Sequence, residues 1–255
     1  MFAEISIKAL TGIKLVEPGD DLGAIAADAL AANRLVPQDD DVLVVVQKVV
    51  SKAEGRYVDL ASVEPSPRAV ALAAEVDKDP CFVEIVLSET KRVVRHRPGL
   101  LIVEHRLGFV MANAGIDRSN IDHPEGGERV LLLPLDPDAS AAAIRRHLAE
   151  VFGVRLGVVI SDSFGRPWRK GIVGVALGAA GLPAFIDMRG RPDLFGRELK
   201  VTETGFADEI AAAASLVTGQ ADEAVPIVLV RGLSWSAPEL PVAAMVRSPE
   251  NDLFR

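Results

Sequence analysis

The chain has a single cysteine, Cys81, among 255 residues, which excludes an internal disulfide framework and a cysteine-held metal cluster. An ordinary small thiol is the plainest account of that residue. Positive charge is in deficit: 28 Lys and Arg against 36 Asp and Glu leave a net charge of -8. A protein that binds nucleic acid nonspecifically draws on many phosphate contacts from Lys and Arg, so that class is excluded, and any anionic ligand must meet a local basic patch. No apolar run reaches transmembrane length, and the opening MFAEISIKALTGIK lacks the long apolar core and small-residue cleavage site of a signal peptide. A cytoplasmic protein without membrane association is expected. Internal repeats and low-complexity linkers are missing, as are a nucleophile-elbow serine and a Walker phosphate loop. The four histidines, His96, His105, His123 and His147, show no metal-ligand spacing, and none is assigned a catalytic part.

Hydrophobic residues are 49% of the chain, enough to build a substantial core. Short β-branched runs alternate with longer Ala/Leu runs of helical spacing, which predicts a mixed α/β (α+β) fold. Asp21 caps a predicted helix over 22–32, ended near Asn33, and a strand buried on both faces follows at 42–46. Pro65 and Pro67 precede helices expected at 68–76 and 82–94, before Pro98 and Gly99 break the chain. Strands are expected at 100–103, 109–112 and 130–133, then a helix capped by Asp138 and running to 151, with Gly153 past its end. A strand at 156–160, a helix at 206–217 and a strand at 226–230 complete the pattern. The length fits one domain or two sharing a boundary; we read 1–255 as a single unit with room for a smaller subdomain around 62–130.

Two acidic stretches stand out. FVMANAGIDRSNID, 109–122, turns from an apolar strand into a loop presenting Asn113, Asp117, Ser119 and Asn120. Hard cations favour carboxylate, hydroxyl and phosphate oxygens, so Asp117 suits Mg²⁺ or Mn²⁺, although turn formation accounts for Asp and Asn here equally well. SDSFGRPWRKG, 161–171, places Asp162 and Ser163 at the end of a buried strand, where α/β proteins commonly site their chemistry. Arg166, Arg169 and Lys170 follow, an order that suits a metal with phosphates; a solvated turn whose charges pair locally explains the same residues. Lys48 and Lys52 leave the 42–46 strand close enough to reach one ligand. Arg189, Arg191 and Arg197 form a third basic group, spaced by glycines, that could receive an anionic substrate. The glycines of GIVGVALGAAG, 171–181, permit close packing or close approach of backbone to ligand.

Taken in order, GIKLVEPGDDL (12–22), VVSKAEGR (49–56), NAGIDRSN (113–120), LLLPLDPDAS (131–140), SDSFGRPWRKGIVGVALG (161–178), RGRPDLFGRELKVTE (189–203), FADEIAAAA (206–214) and VPIVLVRG (225–232) resemble the coenzyme F-420 gamma-glutamyl ligase family. The resemblance spans nearly the whole chain. It implies a two-domain α/β fold in an intertwined homodimer, and GTP-dependent addition of L-glutamate to a lactyl phosphodiester deazaflavin through an acyl phosphate. It further implies Mg²⁺ or Mn²⁺, with K⁺ alongside, and metal ligands at Asp117, Asp162, Ser163 and Gln220. Nucleotide contacts carry over to Ile13, Lys14, Leu15 and Val16, to Gln47, Lys48, Lys52 and Asn120, and to the loop Thr218, Gly219, Gln220, Ala221, Asp222, Glu223, Ala224, Val225. Arg166, Arg169, Lys170, Arg189 and Arg191 are the substrate-binding candidates. Ser163 stands where archaeal relatives often carry threonine, which keeps a hydroxyl, and Gln220 offers a neutral carboxamide where a carboxylate would bind more strongly. Some members carry a nitroreductase-like flavin domain; no flavin reductase activity is expected of these 255 residues. A metal-dependent phosphohydrolase using the same acidic pair, and a silent GTP-binding homologue, are the competing readings.

Overall fold

The structure, a computed structural model, describes residues 4–123, 125 and 127–253. Residues 1–3 of the N-terminal stretch and residues 124 and 126 of the 62–130 region lie outside the described residues. The chain begins with strand β1 (Ser6–Leu10), helix α1 (Leu22–Ala32), strand β2 (Val42–Val46), helix α2 (Gln47–Ala53) and strand β3 (Tyr57–Asp59). Helices α3 (Pro67–Val76) and α4 (Pro80–Ser88) lead to strands β4 (Thr90–Arg97), β5 (Leu100–His105), β6 (Val110–Ala112) and β7 (Arg129–Leu131). Helix α5 (Pro137–Phe152), strands β8 (Gly157–Gly165), β9 (Ile172–Ala180), β10 (Ile186–Asp187) and β11 (Glu203–Thr204), helix α6 (Phe206–Thr218) and strand β12 (Ile227–Arg231) follow.

The main sheet has the order β1-β12-β2-β8-β9, in which only β2 and β8 run parallel. VLVVV reads as an unbroken apolar run because the sheet is covered on both sides. Leu43 and Val45 point into one core with Leu30 of α1 and Leu148 of α5, while Val42 and Val44 point into the other with Ile210 and Ala214 of α6. The stretch from β3 to β7 has its own apolar centre, built from Val76, Phe82, Val83, Leu101 and Val103, beside the antiparallel sheet β4-β5-β6. The mixed α/β class is as expected.

Three expectations need correction. The helix at 82–94 stops at Ser88, and residues 90–97 form β4, paired with β5 through two register shifts. Thr90, Val93 and Val94 are β-branched and half-buried, and the charged residues between them stay exposed on the pleat. Asp136, rather than Asp138, caps α5: Pro137 takes the first helical position, so the cap falls on the residue before it and accepts from Ala139 N. Asp138 instead accepts from Ala179 N at 2.8 Å and Val242 N at 2.9 Å, tying the edge strand β9 to the C-terminal segment. The strand at 156–160 continues through Asp162 and Ser163 to Gly165. Its pairing with β2 ends at Ser161, and β9 carries the hairpin beyond that point. The glycines of β9 serve close packing: a Cβ at Gly174 would strike the Ala211 carbonyl of α6, and one at Gly178 would strike Pro137 of α5.

Candidate active site

The polar centre forms at the carboxyl ends of the parallel pair β2 and β8, where the chain passes from Val46 directly into α2. Gln47, the first residue of α2, is 2% exposed, and Ser51, one turn later on the same helical face, is wholly buried. The Ser51 hydroxyl donates to Gln47 Oε1 at 2.9 Å, which directs the amide Nε2 outward to donate to Asp117 Oδ2 at 2.6 Å. Asp162 feels the same amide, which favours its charged form. Lys48 lies 3.3 Å from Asp117 Oδ1 and donates to the Ser119 carbonyl at 3.2 Å.

Asp117 is held by its backbone, which exchanges hydrogen bonds with Leu131. The preceding Asn113, Ala114 and Gly115 adopt φ of 50°, 54° and 67°, a left-handed run that turns the chain sharply after β6. Asn113 Oδ1 is buried without a hydrogen-bond partner among the described residues. Burial pushes the Asp162 carboxyl up to about 7, with the Asp117 charge as the second cause; Ser163 N, Lys48 and Gln47 oppose the rise without cancelling it. Lys52 is pushed down, first by burial and then by Lys48, against the pull of Asp117 and Asp122.

The loop after α6 completes the group. Ser163 Oγ donates to Gln220 Oε1 at 2.8 Å, and Asn120 Nδ2 donates to the Ala221 carbonyl at 2.9 Å. Glu223 folds back to accept from Ala221 N, and Gly219 and Ala224 take φ of 71° and 54°. Thr218 ends α6, Asp222 is exposed, and Val225 packs against the α6-side core. Thus Gln47 and Lys48 contact Asp117, Ser163 contacts Asp162 and Gln220, and Asn120 contacts the Ala221 carbonyl; the charges of Asp117 and Lys48 act on Asp162, and Lys52 lies within the field of Lys48 and Asp117.

The other candidates make contacts of their own. Ile13 and Val16 pack into the core beneath α1, Leu15 is exposed, and Lys14 pairs with Asp20 at 2.7 Å. Gly19 N donates to the Ala53 carbonyl, so this segment is tethered to the far end of α2. Arg166 donates to the Gly171 carbonyl across its own hairpin turn, where Arg169 and Lys170 are exposed. Arg189 is committed to Asp187 at 2.6 Å and Glu203 at 3.4 Å, fastening the β10–β11 turn; Arg191 is exposed. The sequence reading missed the Ser51 clamp, whose only signal is the four-residue spacing from Gln47 on one helix. It also missed the buried cluster in which Glu89 meets Arg56, Arg106 and His105.

Among the described residues no three His, Cys, Asp or Glu side chains gather as a metal-holding group. The acid pair fits a hard cation on other grounds: two carboxylates too weakly neutralised by one lysine, beside hydroxyl and carboxamide oxygens.

Fold and site together define an α/β protein whose polar side chains converge at the carboxyl ends of its parallel strands, the usual seat of chemistry in such sheets. Residues 12–232 match the F420-0:Gamma-glutamyl ligase family, and the chain belongs to it. It is 47% identical over 247 residues to the coenzyme F420:L-glutamate ligase of Methanopyrus kandleri, covering 94% of this chain and 93% of that one. The proteins of the same description from Methanothermobacter thermautotrophicus and Archaeoglobus fulgidus are each 44% identical, covering 98% of this chain and 99% and 96% of theirs. The protein is therefore a ligase of this family. No helix among the described residues is long and apolar enough to cross a membrane.

Proposed function

We propose that the protein joins L-glutamate to the deazaflavin precursor of coenzyme F420, with GTP as the phosphoryl donor. The observation that carries this reading is the electrostatically coupled pair Asp117 and Asp162, with Gln47 and Lys48 in contact with Asp117. In the first step a carboxylate oxygen of the acceptor takes the γ-phosphoryl group, and the bond to GDP breaks. In the second, the glutamate amine attacks the acyl carbon, loses a proton and expels phosphate, leaving an amide. A second glutamate attaches through a γ-linkage by the same two steps.

No side-chain nucleophile is needed, so the protein's work is placement and charge compensation. Asp117 and Asp162, with Ser163 and Gln220, would hold Mg²⁺ or Mn²⁺, which when bound supplies the positive charge that lets polyphosphate and carboxylate approach each other. Lys48 and Lys52 add cationic charge in the first and last turns of α2. The Asn120–Ala221 bond closes the Asp117 loop against the Thr218–Val225 loop, a fit for a nucleotide clasp. The family resemblance supports a homodimer in the cytoplasm as its working state.

Mass spectrometry of the purified protein with GTP, Mn²⁺ or Mg²⁺, K⁺, L-glutamate and the deazaflavin tests the reading. Glutamylated product that disappears when GTP, metal or glutamate is omitted is the expected result. Phosphate release indifferent to glutamate and deazaflavin would instead make the protein a phosphohydrolase.

A further inference from the structure

A cleft of about 320 Å³ opens at the free edge of the main sheet, within the range of about 300–1,000 Å³ common to small-molecule sites. Three segments wall it: Phe164 and Val175 from β8 and β9, Phe109 and Val110 where β6 begins, and Met245 and Val246 from the C-terminal segment. Its position relative to the acid pair follows from strand register. Val175 lies directly opposite Asp162 in the β8–β9 ladder, so their side chains share one face of the sheet. Phe164 is two residues beyond Asp162 on the same strand and therefore on that face as well. Phe164 and Val175 therefore line the cleft from the face that carries Asp162, while Ala176, Val242 and Met245 line it from the α6 side.

The third wall is held in place. Asp138 accepts from Val242 N and Ala243 N, and Val246 packs so closely on the turn before β6 that a Cβ on Gly108 would meet its Cγ1 at 2.8 Å. Two phenyl rings and a methionine make the cleft suited to a flat π-system, since aromatic faces and thioether sulfur both pack favourably on rings. Asp208, Asp252 and Arg247 line it too, giving two carboxylates and one donor at its polar edge. Asp208 already accepts from Ala176 N through Oδ1, which fixes the carboxylate in the cleft.

We propose that this cleft receives the tricyclic heteroaromatic body of the acceptor, while its anionic arm extends along the sheet face to Asp117 and Asp162. The assignment rests on the ligase reading above. Phe164 and Val175 connect the two ends of an amphipathic substrate: apolar side chains take the ring at the sheet edge, and acids and lysines take the arm at the strand ends.

The test is a steady-state comparison of the full chain with Val175→Trp and Val246→Trp, which fill the cleft from opposite walls. With GTP, Mn²⁺ and glutamate, KM for the deazaflavin acceptor rises about tenfold or more, while KM for GTP and for glutamate stays within about twofold. In parallel, 8-hydroxy-5-deazariboflavin, the ring without the phosphodiester arm, binds the wild type, as read by its own fluorescence, and fails to bind either variant. Should the tryptophans prevent folding, Val175→Ala and Val246→Ala, which strip contact area from the walls, give the same comparison with a smaller rise in acceptor KM. Folded variants with unchanged acceptor KM and retained ring binding overturn the cleft assignment and leave the ligase reading intact. A wild type that extends no deazaflavin overturns both.

Discussion

Glu89 and Asp162 are both carboxylates drawn into the protein, and their surroundings push them in opposite directions. Around Glu89, burial by itself would raise the pKa, but hydrogen bonds from His105 and Arg106 and the charges of Arg56 and Arg106 outweigh it and hold the group down to about 2. Arg56 also donates to the Leu133 carbonyl, and Arg106 to those of Pro134 and Leu135, so the cluster stitches α4 and β5 to the chain leading into α5. Around Asp162, burial and the neighbouring Asp117 prevail over Lys48, Gln47 and a backbone amide, and the group rises to about 7. One cluster is electrostatically complete, while the other still calls for positive charge. Perturbation of the second kind, in a cluster facing lysines and loops, marks a candidate functional site, whereas the first kind belongs to a paired structural cluster.

Substitutions at the two carboxylates should therefore separate activity from stability. Asp162→Asn is expected to lower glutamylation about 10³-fold, measured by mass spectrometry of product. Its stability should not fall. A folded-state pKa raised above the ordinary 3.8 means that stability is lost as pH rises toward about 7, so removing the charge gains stability at pH 8 in metal-free buffer, as thermal melting would show. Glu89→Gln should do the reverse: it leaves two arginines without their carboxylate and costs about 3 kcal/mol in denaturant unfolding, with turnover per folded molecule little changed. An equal loss of activity in both variants would erase the distinction.

Ser51→Ala sharpens the comparison on a smaller scale. It frees the Gln47 amide to rotate and is expected to weaken Mn²⁺ binding and turnover about tenfold, as loss of a supporting hydrogen bond behind a ligand does. Ser51→Thr keeps the hydroxyl and should recover most of the loss. The smallest effect lies in acid. Because Glu89 is depressed from 4.5 to about 2, its contribution is complete above about 4.5 and fades as pH falls toward 2. The melting temperature of the wild type should therefore drop more steeply across that interval than that of Glu89→Gln.

Much of the scaffold was legible because its signals are local. Asp21 before 22–32, Gly153 after α5, and the β-branched 42–46 run each carry their own structural instruction. β4 was misread because its charged residues mask a β-branched pattern that only the β5 partner makes decisive. At the site, Asp162 and Ser163 could be found together since they are neighbours in sequence. The bond from Gln47 to Asp117 spans 70 residues, and nothing local announces it. The Glu89 cluster escaped for the same reason, its arginines lying 33 residues before it and 17 after.

The central claim, that the carboxylate pair is the cation-deficient centre of the molecule, is tested most directly by Mn²⁺ titration followed by electron paramagnetic resonance on the wild type, Asp162→Asn and Glu89→Gln. The account predicts Mn²⁺ binding by the wild type and by Glu89→Gln, and its loss in Asp162→Asn. Binding that survives in Asp162→Asn with unchanged affinity would contradict it.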